Sequence, residues 1–121
     1  MIALPGNLNN FFSQLERSMG TEYLTALKDP QGWQRISGLV RPSGADREGE
    51  ILIVKTVPDT QDQLRLFRWD SKADKGDPFK YSIEVGPVGY LASLSFSKGM
   101  CGDGEPQLSA LFEAAFAQIK H

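Results

Sequence analysis

The hydrophobic positions of this chain change period twice. Leu8, Phe11, Phe12, Leu15 and Met19 fall at i, i+3, i+4, i+7 and i+11, which puts them on one stripe of a helix. Asn7 is placed to cap that helix and Gly20 to break it. Thr21 stands where it could cap a short continuation carrying Tyr23, Leu24 and Leu27. The continuation ends at Asp29-Pro30, because a residue before proline is steered out of the α region. The spacing fits one broken helix or two.

From about residue 35 the period falls towards two, and five strands are predicted. The clearest covers 79–85, where Phe79, Tyr81, Ile83 and Val85 alternate with Lys80, Ser82 and Glu84. Gly86-Pro87-Val88-Gly89 reads as a turn into a hairpin partner, in which Tyr90, Ala92, Leu94 and Phe96 continue the alternation. Upstream, 50–57 contains Ile51, Leu52, Ile53 and Val54, apolar on both faces and therefore expected inside the sheet. Leu64 to Trp69 places Leu64 and Leu66 on one face and Arg65, Phe67 and Trp69 on the other, so the strand either bulges or carries aromatics on its second face. A first strand over Arg35–Arg41 is weakened by Gly38 and ended by Pro42. The connectors at 41–49, 57–62 and 70–78 are polar and too short for helical crossovers, which favours an antiparallel meander.

Helical spacing returns at the end of the chain. Leu108, Leu111, Phe112, Ala115, Phe116 and Ile119 form one stripe, which Ser109, Glu113, Gln118 and Lys120 avoid. Pro106 suits the first turn, and Asp103 and Glu105 sit at the positive end of the helix dipole. The expected architecture is an α+β two-layer sandwich. It has an N-terminal helix, a five-stranded, mainly antiparallel meander, and a C-terminal amphipathic helix packed on the sheet.

A length of 121 residues predicts a single α+β domain over 1–121. The net charge of −2 removes the global attraction to phosphate expected of a basic nucleic-acid binder. One cysteine allows no internal disulfide, the start MIALPGNLNNFF lacks the pattern of a signal peptide, and no apolar stretch is long enough to span a bilayer. A soluble, cytoplasmic protein without membrane association is the expectation.

Candidate chemistry is sparse. The one histidine is His121, so catalysis by an internal imidazole, and zinc sites built from several Cys and His, are not expected. Cys101 lies in the glycine-rich segment 99–104 with no second cysteine, and that segment matches neither dinucleotide nor P-loop spacing. Asp70, Asp74 and Asp77 lack a calcium-loop pattern. No catalytic, metal or cofactor residue is assigned, and no cofactor is expected. Tyr23 and Tyr81 carry hydroxyls but read first as core-edge residues.

Arg65, Phe67 and Trp69 form the most suggestive local pattern, because a strand aligns all three on one face. Packing under another element is the first reading of Phe67 and Trp69, gripping a peptide the second, and stacking bases the third. Lys55, Arg68 and Lys80 would enlarge a basic area there, depending on register. Trp33 reads as a corner anchor, with docking as the minority alternative.

These residues favour a non-enzymatic protein- or peptide-binding module, such as an adaptor, dedicated chaperone or small inhibitor. It would use a sheet face or edge for a protein partner or for homodimerisation, through Arg65, Phe67, Trp69 and Trp33. A single-stranded nucleic-acid-binding domain is the first alternative, and a small enzyme using carboxylates or tyrosine without histidine is the second.

Overall fold

The computed structural model describes residues 8–36, 50–70, 79–87, 94–97 and 105–119. Two helices open it, α1 (Leu8–Met19) and α2 (Thr21–Lys28). The break between them is local. Gly20 adopts φ 113°, and a Cβ there would come within 2.7 Å of Glu22 Oε2. Only glycine holds such a backbone without strain. Gly20, rather than Thr21, occupies the capping position of α2, with no side-chain cap bond; Thr21 is already helical. Asp29 ends α2 in an extended conformation, as the following proline requires. The expected cap at Asn7 lies outside the described residues.

The sheet strands are β1 (Gln34–Ile36), β2 (Ile51–Thr56), β3 (Asp62–Asp70), β4 (Phe79–Pro87) and β5 (Leu94–Ser97). They pair antiparallel in the order β1-β2-β3-β4-β5, a meander. Four of them, β2 to β5, run four to nine residues. The segment β1 is a three-residue strip along β2, two of its residues are exposed, and it has little apolar surface to bury. Residues 37–41 of the expected first strand and 90–93 of the expected last one lie outside the described residues. Gly86 and Pro87, expected in a turn, continue β4. Register runs unbroken along β2–β3 and β3–β4, so no bulge exchanges the faces of β3.

Helix α3 (Glu105–Ile119) closes the chain, with Pro106 in its first turn. It packs across β4 and also meets β1, β3 and α1, while α1 reaches β5. The core between the layers joins Leu8, Phe11 and Leu15 of α1 with Leu27 of α2. From the sheet come Ile53, Leu64, Leu66, Tyr81, Ile83 and Val85, and from α3 Leu108, Phe112, Ala115 and Phe116. A smaller cluster of Leu52, Val54 and Phe67, with Ile36 and Trp69 packed against it, occupies the other sheet face. The α+β assignment and the packing of helices on an antiparallel sheet therefore hold. Among the described residues, no helix is long and apolar enough to cross a membrane.

Candidate functional site

Arg65, Phe67 and Trp69 share the sheet face turned away from the helices. The face is not an open platform, because Arg65 is 3% exposed and Phe67 1%. Arg65 Nε donates to Glu84 Oε1 at 3.3 Å and Nη1 to the Gly86 carbonyl at 3.3 Å. Its Nη2 and the Ser82 hydroxyl, both buried, have no hydrogen-bond partner among the described residues. Trp69 is partly buried. The larger basic area is also corrected. By alternation along the strands, Lys55 and Arg68 fall on the opposite, helix-covered face, and their bonds to α2 and α3 agree. Lys80 is the register partner of Trp69.

Trp33 is 6% exposed and donates its indole N–H to the Asp29 carbonyl at 2.9 Å. It is a corner anchor. Lys55 rises from β2 to the same corner, where its ammonium donates to the carbonyls of Ala26 at 2.7 Å and Asp29 at 2.8 Å. It also lies 5.0 Å from the centre of the Trp33 ring. Lys55 thus satisfies backbone acceptors that the end of α2 leaves open. Burial lowers its pKa from the ordinary lysine value, and the charge of Asp29 opposes that shift. A cavity of about 650 Å³ adjoins it, with Glu22, Asp29 and Asp59 among the lining residues. Asp29 Oδ1 accepts the Gln31 N–H, and Lys55, which also lines the cavity, caps α2.

The tyrosines are structural ties. Tyr23 hydrogen-bonds its hydroxyl to Asp62, and Tyr81 donates to Glu113 Oε2 at 3.1 Å. Burial raises both phenol pKa values; the Asp62 hydrogen bond adds to the rise at Tyr23, while a Ser109 hydrogen bond partly offsets it at Tyr81. Glu113 also accepts Arg68 Nη1 at 2.8 Å, and the guanidinium lies 5.2 and 5.3 Å from the Phe112 and Phe116 ring centres. This group fastens α3 to the sheet.

Sequence reasoning missed a groove on the outer side of the helical layer. It has a volume of about 460 Å³ and runs between α1, the end of α2 and the first half of α3. Phe12, Leu27, Pro30, Leu111, Ala110 and Ala114 make its apolar lining. Asn9, Lys28 and Gln107 supply the polar part. Phe12 and Leu111 belong to the two helical stripes but are only partly buried. Phe12 from α1 and Leu111 from α3 both line the groove. A sequence signal existed in the doubled apolar positions Phe11-Phe12 and Leu111-Phe112. Nothing local showed that they would face each other.

Cys101 and His121 lie outside the described residues, and so do Asp74 and Asp77. Among the described residues, no three His, Cys, Asp or Glu side chains gather as metal ligands could. No protein-family model, curated protein or solved structure matches the chain.

Proposed function

We propose that the chain is a non-enzymatic protein-binding module whose docking surface is the groove of the helical layer. The observation carrying this reading is an apolar lining in which Phe12 and Leu111 are partly exposed and Ala110 and Ala114 exposed, with the buried Leu27 beneath them. Concave, mainly apolar surfaces with few polar groups are where side chains of a partner gain most from leaving water. The sheet face around Arg65 and Phe67 supports docking less, because both side chains are already buried. Stacking of single-stranded nucleic acid there has the same difficulty, with the guanidinium also engaged by Glu84. Among the described residues, the enzyme alternative would draw on the cavity beside Lys55, which Glu22, Asp29 and Asp59 also line.

Selection of a randomised helical-peptide display library on the immobilised protein tests the binding reading. Enriched peptides are expected to bind the wild type and to lose at least tenfold in affinity on Ala110→Arg or Ala114→Arg, which fill the groove from exposed positions. No enrichment, or peptides indifferent to both substitutions, would overturn it. Asp59→Asn at the other cavity is the control, since asparagine tolerates the positive φ of 62° found there.

A further inference from the structure

We propose that the groove takes an amphipathic helix whose apolar anchors are flanked by carboxylates, and that Lys28 is the residue that reads the acid. The proposal rests on the binding reading above and names the partner's chemistry. Three helices bound the groove, and Ala110 and Ala114 stand one turn apart on the exposed side of α3. Small side chains at that crest let another helix approach at the short end of the usual interaxial range of about 8–10 Å. Helix-in-groove docking, with anchors at i, i+3 or i+4 and i+7, fits such a surface.

The charge of the groove selects among amphipathic helices. Among the described residues that line it, Lys28 is the charged one, and no carboxylate is present. Its ammonium lies 4.9 Å from the centre of the Phe12 ring, so the cation stands against the apolar wall. The end of α2 would ordinarily make this rim negative through its free carbonyls. Here Lys55 takes the Ala26 and Asp29 carbonyls from the other side. The Asp29 side chain lines the opposite cavity and not the groove. An acidic flank therefore meets a cation, and a basic flank meets the same cation unfavourably. The net charge of −2 gives no long-range help, so the selection is local and modest in size.

Three synthetic helical peptides test this, sharing one leucine- and phenylalanine-rich face and differing only in whether the flanking positions are glutamate, glutamine or lysine. Fluorescence anisotropy at low salt is expected to rank them glutamate, glutamine, lysine. Lys28→Met, which keeps the apolar stem, should weaken the glutamate peptide about two- to fivefold and leave the glutamine peptide unchanged, a range appropriate to an exposed ion pair. Added salt should compress the ranking. Equal binding of all three peptides, or a ranking that survives Lys28→Met, overturns the acidic selection and leaves groove binding intact. Failure of all three peptides to bind overturns both.

Discussion

Replacing Lys55 with methionine removes the ammonium while keeping a similar apolar stem, and so isolates its role at the end of α2. The two hydrogen bonds to Ala26 and Asp29 are charge-assisted, at about 1.5–3 kcal/mol each. The contact with Trp33 adds about 0.5–2 kcal/mol. Desolvation works in the other direction, costs several kcal/mol for a buried ion, and lowers the Lys55 pKa. Methionine removes that cost together with the bonds. What remains is the pair of carbonyls that lose their donor, at about 1–3 kcal/mol each when nothing replaces it. Because the adjoining cavity gives water access to this corner, we expect a net loss of about 2–3 kcal/mol. Urea unfolding followed by tryptophan fluorescence measures it as a lower midpoint at unchanged slope. The emission of Trp33 should also shift, because a cation leaves its ring face. A loss below about 0.5 kcal/mol with unchanged emission would refute the claim that Lys55 caps α2.

Other substitutions probe the remaining parts of the account. Gly20→Ala is expected to cost about 1–3 kcal/mol in chemical denaturation, since φ 113° suits no side chain and the new Cβ meets Glu22. Phe67→Ala should cost about 3–5 kcal/mol by the same assay, as expected for a buried ring rather than a surface anchor. Alkaline titration of stability gives a further check with a defined sign. Tyr23 and Tyr81 have folded pKa values above the ordinary 10.0, so their contributions are complete below pH 10 and are lost as pH rises through the folded values. Lys55, with a folded pKa below 10.5, has the opposite slope and stops contributing to it above 10.5. As pH rises above 10.0, Tyr23→Phe and Tyr81→Phe should each flatten the decline seen by circular dichroism, and an unchanged decline would contradict the assignment.

Much of the fold is legible in the sequence where one periodicity dominates. The stripes of α1 and α3 identify Phe11, Leu15, Leu108 and Phe112 as core, and alternation in β4 places Tyr81, Ile83 and Val85 on one face. The run Ile51 to Val54 is apolar at every position, so it does not reveal which face the helices cover. Strand alternation alone sets Arg68 against Arg65, whereas Lys55 opposes Arg65 through the β2–β3 register, which pairs it with Leu64. The burial of Arg65 was equally hidden, because its partner Glu84 stands on another strand and pairs with it only through the β3–β4 register. The groove was the least legible feature. It draws on residues 9–12, 27–30 and 107–114, and no local pattern specifies their juxtaposition.

The central claim is that the groove of the helical layer is the docking surface, and amide and methyl NMR of the labelled protein during titration with the glutamate-flanked peptide tests it most directly. Docking in the groove gives saturable shifts concentrated at Phe12, Leu27, Lys28, Ala110, Leu111 and Ala114, absent from the Ala114→Arg variant. Shifts centred instead on Arg65, Phe67 and Trp69, or no saturable shifts, would contradict it.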